Sequence, residues 1–265
     1  MDTLQVLVLA LLQGVTEFLP ISSSGHLVLL PLFADWIDRG ISFDVAVHVG
    51  TLVAVISYFR KDIRRLLRDW FLSIGRREQV GQSMLAWSVF VGTIPAGLCG
   101  FLLNEYSAAI TRSSIVIAIT TIGFGLLLGW VDWRSKGVRS ERQLRWSDVI
   151  VIGLSQVLAL IPGTSRSGIT MTAAIALGLT REAAARFSFL LGIPLIAAAG
   201  MLKIKDSIQP GAQTDWGAIL LGAIVAGLSA YVCIHYFLRL IPRIGLLPFA
   251  LYRVVLGLII IVTIA

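Results

Sequence analysis

Long apolar runs interrupted by short basic stretches dominate this chain, and no other feature restricts its fold as much. A backbone inside a bilayer must satisfy its own N–H and C=O groups, so runs of this kind are helices. The 265 residues are 57% hydrophobic and only 14% charged, with a mean hydropathy of +0.87, far more apolar than a soluble domain of that length. The chain is therefore predicted to be an all-α polytopic membrane protein.

The net charge of +7 raises nucleic acid as a partner. The basic residues, however, gather in two loops between apolar runs: Arg60, Lys61, Arg64, Arg65, Arg68, Arg76 and Arg77, then Arg134, Lys136, Arg139, Arg142 and Arg145. There they orient a membrane protein, so membrane lipids replace nucleic acid as the expected surroundings. Cys99 and Cys233 lie in apolar runs without metal-ligand spacing and read as packing residues. Residues 4–12 have the length of a signal-peptide core. Asp2 precedes them and Gln13, Glu17 and Pro20 follow, so the segment reads as mature structure.

Residues 4–19 would make a helix of roughly 24 Å, short for a span, ended by Pro20 and a serine run. With residues 27–33 it forms a re-entrant hairpin, tolerated at membrane depth only inside protein or beside a watery cavity. Full spans are expected at residues 43–59, 84–103 and 113–131. The second half repeats the plan, with half-helices at 149–161 and 169–179 around Pro162, Gly163 and Gly168, then spans at 187–202, 216–238 and 246–264. A single membrane domain thus divides into repeat one (1–133), a basic loop (134–145) and repeat two (146–265). By the positive-inside rule both basic loops are cytoplasmic and Asn104 to Arg112 lies outside. Arg239 and Arg243 agree with this parity, and Lys203 and Lys205 dissent. Three spans per half is an odd number, so the halves have opposite topology, and their broken tips should meet near the midplane.

The tips carry the chemistry. The first runs Q-G-V-T-E-F-L-P-I-S-S-S-G-H from Gln13 to His26, and the second matches it at Gln156, Ser165, Ser167 and Gly168, with Arg166 where the first has Ser23. Gln13 and Glu17 share a helix face, and a carboxylate at this depth is a functional residue by default. Ser22, Ser23 and Ser24 precede Gly25 and His26. Capping explains one or two of these serines but not the histidine. Ser23 and His26 are three apart, close enough to act together, and His26 is suited to moving protons. His48 and His235, alone on apolar stretches, read as structural. Gly163, Thr164, Ser165, Arg166, Ser167 and Gly168 combine a helix N-terminus, glycines and a guanidinium, which is what a phosphate cradle needs. A salt bridge from Arg166 to Glu17 is the plainer reading, and the two are compatible at rest. No G-x-x-x-x-G-K is present, so nucleotide binding is not expected. The residues themselves leave lipid-phosphate hydrolysis and phosphate-coupled transport both open.

At these positions the chain resembles the undecaprenyl-diphosphate phosphatase family, the integral-membrane type linked to bacitracin resistance. Gln13-x-x-x-Glu17 fits its E/Q-x-x-x-E pattern, with glutamine at the first position. Phe18 to His26 reads F-L-P-I-S-S-S-G-H and Pro162 to Thr170 reads P-G-T-S-R-S-G-I-T. The resemblance implies hydrolysis of undecaprenyl diphosphate to the monophosphate carrier and inorganic phosphate, in a bacterial cytoplasmic membrane. It implies Mg2+ or Ca2+ as cofactor, for which Glu17, with Gln13 assisting, is the expected ligand. It also implies a set of Glu17, Ser23, His26, Ser165, Arg166 and Thr170, to which only Thr170 is new. Ser23, His26 or a metal-bound water could attack. The hairpin parity directs the site to the outer face. A flippase, alone or coupled to hydrolysis, is the alternative, and a homodimer is one assembly open to the chain.

Overall fold

Apolar runs that cannot borrow hydrogen bonds from lipid close their own, and helices fill the structure accordingly. The computed structural model describes residues 2–23, 25–27, 30, 36, 40–103, 113–207 and 215–264. Among them are ten α-helices: α1 (Thr3–Thr16), α2 (Gly40–Tyr58), α3 (Arg60–Arg76), α4 (Ser83–Leu102), α5 (Ser114–Arg134), α6 (Trp146–Val157), α7 (Arg166–Ala176), α8 (Arg181–Ser207), α9 (Trp216–Ile244) and α10 (Leu247–Ile264). No strand occurs among the described residues, apart from one isolated bridge between Arg139 and Leu179. The chain is a multi-pass, all-α membrane protein.

Two expectations are corrected. Six full spans are expected; among the described residues four helices are long and apolar enough to cross, at Ser83–Leu102, Ser114–Arg134, Arg181–Leu202 and Trp216–Ile244. A fifth is counted if Ser42–Tyr58 and Arg60–Arg76, bent by 76°, form one broken span, while Leu247–Thr263 is shorter than a full span. The first basic loop is also helix α3. Ile63, Leu66, Trp70 and Ser73 recur at helical spacing and turn inward, which holds a charged stretch in a helix by packing one face. Buried Asp69 closes its return to α4 by accepting from Gln82 N at 2.9 Å. The second half-hairpin of repeat one and the 104–112 loop fall largely or wholly outside the described residues.

The two halves pack across each other. α1 lies on α9 and α6 on α4, α2 packs on α9 and α8 on α4, α5 pairs with α10, and α2 with α8. Small residues allow the closest approaches, as is usual where backbones touch in a membrane. Gly153 abuts the backbone of Gly92, and a Cβ on Gly14 would overlap Ser229 Oγ at 1.8 Å.

Ion pairs knit one end of the bundle. Asp132, at the end of α5, accepts from Arg181 Nε (2.6 Å) at the start of α8 and from Leu246 N (2.9 Å) just before α10. Arg186 reaches Asp62 on α3 (3.2 Å) and Glu141 (3.0 Å), and Arg139 pairs with Asp148. Helix ends assigned to one side by charge parity are thus cross-linked to one another.

Candidate active site

α1 stops short because its last turn meets Glu17 to Ile21, a turn ahead of Ser22. Ser22 then takes a left-handed φ of 74°, and the described residues from Ser23 to Leu27 are helical. The second tip follows the same local path. A 3-10 turn at Leu158–Leu160 ends α6, Ser165 takes φ 69°, and α7 starts at Arg166. Each serine caps the helix it starts, Ser22 Oγ accepting from Gly25 N at 3.4 Å and Ser165 Oγ from Gly168 N at 3.2 Å. Left-handed non-glycine residues are uncommon and unfavourable by roughly 1–3 kcal/mol each, and they concentrate at functional sites. Here two sequence-matched serines adopt one.

Glu17 is the centre of the site. Its Oε2 accepts from Gln13 Nε2 at 2.9 Å and from Ser23 Oγ at 2.8 Å, and its Oε1 faces Arg166 Nη2 at 3.3 Å. His48 Nε2, read from sequence as a structural histidine, lies 3.7 Å from the same carboxylate. A lone imidazole in an apolar run carries no local sign of its partner; only the packing of α2 beside the first tip brings it there. Buried Gln13 Oε1 has no hydrogen-bond partner among the described residues.

The expected contact between Ser23 and His26 is not formed. His26 Nδ1 donates to Ser22 O at 2.7 Å, which leaves Nε2 to accept from Tyr252 OH at 2.6 Å, the two rings stacking 5.7 Å apart. Both ring nitrogens are engaged away from Ser23, whose hydroxyl is directed to Glu17. Three residues of separation on a helix brings side chains near but does not choose their partners.

The second tip is braced from several sides. Arg166 Nη1 donates to Ser188 O at 3.2 Å, and its guanidinium lies so close to Gly192 that a Cβ there would come within 1.9 Å. Thr170 Oγ1 bonds Arg166 O (2.8 Å) and Ser188 Oγ (2.7 Å). Ser165 and Ser167 hydroxyls are 3.3 Å apart, and Ser167 Oγ crosses to the first tip to donate to Leu19 O at 2.9 Å. Buried Thr164 Oγ1 has no partner among the described residues. Ser24 lies outside the described residues.

Sequence reading missed Arg253. It is fully buried on α10, and its guanidinium donates to Gly163 O (2.9 Å), Thr164 O (2.9 Å), Thr121 O (3.2 Å) and Pro20 O (3.3 Å). One side chain therefore holds carbonyls of both tips, the carbonyls that a broken helix leaves without intrahelical partners. With Arg166 also present, two guanidiniums stand against the single carboxylate of Glu17, an electropositive setting for an anion.

Gly163 has φ 86°, and a Cβ there would meet Thr120 Oγ1 at 2.3 Å and Ile117 O at 2.6 Å. Gly163→Ala is expected to destabilise the protein by about 2 kcal/mol or more, seen as a fall of roughly 4–8 °C in thermal midpoint in detergent. An unchanged midpoint would mean the tip can relax away from α5.

A family model described as bacitracin resistance protein BacA matches residues 6–259. Among similar proteins, an undecaprenyl-diphosphatase of Nitrosococcus oceani is 57% identical over 257 residues, covering 97% of each chain. One from Thioalkalivibrio sulfidiphilus is 55% identical over 258 residues, again covering 97% of each. An undecaprenyl-diphosphatase 2 of Stutzerimonas stutzeri is 53% identical over 265 residues, covering 99% of this chain and 98% of its own.

Proposed function

The chain belongs to the bacitracin resistance protein BacA family, and we propose that its paired tips remove the terminal phosphate of undecaprenyl diphosphate. The products are undecaprenyl phosphate, the lipid carrier for cell-wall synthesis, and inorganic phosphate. The observation that carries this reading is the hydroxyl of Ser23 donating to Glu17, while Arg166 approaches the other carboxylate oxygen from the opposite tip.

In this mechanism Arg166 holds the terminal phosphate, its guanidinium matching two phosphate oxygens. Ser22, Gly25, Gly163, Thr164, Ser165, Ser167, Gly168 and Thr170 shape the cradle, in part by fixing the two left-handed turns. Ser24 joins them by its place in the motif. Ser23 Oγ attacks the terminal phosphorus and gives its proton to Glu17 Oε2, and the bond from that phosphorus to the bridging oxygen breaks, releasing undecaprenyl phosphate. Water then cleaves the phosphoserine. Arg166 stabilises the charge that gathers on the transferring group. His26, held by Tyr252, is assigned to proton movement at the edge of the site rather than to Ser23.

The donor set fits a hard cation that shares its ligands with a diphosphate: one carboxylate, Glu17, and the unpartnered amide oxygen of Gln13. Among the described residues no group of three or more His, Cys, Asp or Glu is suited to caging a metal. Mg2+ or Ca2+ bound this way would neutralise diphosphate charge in a low-dielectric site.

The cross-wise packing of α1 on α9 and α6 on α4, with the matched serine turns, supports an inverted repeat. On that reading the first tip opens to the outer face of the bacterial cytoplasmic membrane, opposite the basic end of the bundle. The same pseudosymmetry favours lipid transport as the second reading, and vectorial movement in liposomes without phosphate release would select it.

Purified protein is expected to release phosphate from polyprenyl diphosphate, to lose that activity with a chelator, and to yield phosphate on Ser23 by mass spectrometry after a quench in neutral denaturant, which preserves both phosphoserine and phosphohistidine. Phosphate found on His26 would remove Ser23 as nucleophile, and full turnover in chelator would remove the cation.

A further inference from the structure

α3 carries a surface used neither by the tips nor by the bundle core. Its two acids turn inward, Asp62 to Arg186 and Asp69 to the backbone of Gln82. Its bases turn outward, with Arg60, Lys61, Arg64, Arg65, Arg68 and Arg76 all exposed. Beside them Leu67, Phe71 and Ile74 are exposed at helical spacing, Phe71 to 64%. A soluble surface gains nothing from such a stripe next to a cationic face, whereas a helix lying in a membrane interface needs both, the apolar stripe toward the acyl boundary and the bases toward the headgroups.

The position of α3 agrees. It bends 76° away from the apolar run before it and so leaves the direction of a span. It cannot swing freely, because Trp70 packs on Trp87 and Phe90 of α4 with ring centroids 5.6 and 4.8 Å away. Trp133 at the end of α5 and Trp146 at the start of α6 are also exposed, as aromatics at a membrane interface are. We propose that α3 is an interfacial helix whose outward face binds anionic phospholipid headgroups. The charge excess of the exposed face chooses anionic over zwitterionic lipid, and the apolar stripe chooses a bilayer over a soluble acidic protein.

The test uses the full chain in phosphatidylcholine vesicles with trace spin-labelled phosphatidylglycerol or phosphatidylcholine, reading the motionally restricted fraction of each. The wild type is expected to prefer the anionic label by about three-fold or more, the preference falling at high salt. The triple variant Arg64→Gln, Arg65→Gln, Arg68→Gln should lose most of that preference while keeping its phosphate-release rate in neutral vesicles, because none of the three touches a tip. Equal restriction of both labels by the wild type, or a preference unchanged in the triple variant, would overturn the proposal, and either result is what a protein partner for this face would give.

Discussion

Arg253→Leu is expected to lower turnover by about 100-fold and to destabilise the protein at once. Removing a buried charge often costs little when its partner charge goes with it, but the partners here are backbone carbonyls that stay behind. Pro20, Gly163 and Thr164 belong to interrupted helices and have no route to intrahelical bonds. Gly163 O keeps Thr121 Oγ1 as a donor at 3.3 Å, so two carbonyls are stranded, and at about 1–3 kcal/mol for each buried acceptor left unmade the loss is about 2 kcal/mol or more. The same contacts fix one tip against the other, and a misplacement of about 1 Å between reacting groups lowers rate by about 100-fold. Arg253→Lys should recover stability only in part, since one ammonium cannot span carbonyls on both tips as a guanidinium does. Thermal unfolding in detergent with phosphate-release kinetics measures both effects. Wild-type rate and midpoint in the leucine variant would show that the tips are held by other contacts.

Arg166→Ala is expected to leave the fold largely intact and lower kcat by about 100- to 1000-fold, the range for losing one preorganised group that stabilises transition-state charge. Glu17 keeps its donors Gln13 and Ser23 in that variant, so the carboxylate is not stranded. KM should rise as well, because the guanidinium also holds ground-state phosphate. Arg166→Lys should return part of the rate through charge while lacking the two-pronged geometry. Activity within a few-fold of wild type, with an unchanged melting midpoint, would take Arg166 out of the centre of the site.

Much of the site was legible because polar residues in an apolar chain stand out. Glu17, Ser23 and Arg166 announced themselves by sitting in broken hydrophobic runs, and the structure brings those three together. Legibility failed where a residue's meaning depends on a distant helix. His26 was paired in prospect with Ser23, its neighbour in sequence, but Tyr252 occupies its free nitrogen. His48 read as structural because nothing near it in sequence is catalytic. Arg253 stands beside Tyr252 in an otherwise apolar helix far from either tip in sequence, although an arginine there is itself a signal: a guanidinium at membrane depth must find acceptors, and the tips are the place that lacks donors. The basic stretch at 60–76 reads as a loop because charge density obscures the helical spacing of Ile63, Leu66, Trp70 and Ser73.

The sequence by itself determined the helices, the breaks and the chemical character of the tips. Hydropathy leaves a membrane backbone no other way to satisfy its hydrogen bonds, and proline, glycine and serine runs interrupt it locally. Only the tertiary structure decided which donor meets which acceptor. Ser23 goes to Glu17, six residues away, once the left-handed turn at Ser22 folds the tip back, whereas Arg166 crosses to the same carboxylate and Arg253 binds both tips from helices far apart in the chain, at distances set by how α1, α7 and α10 pack.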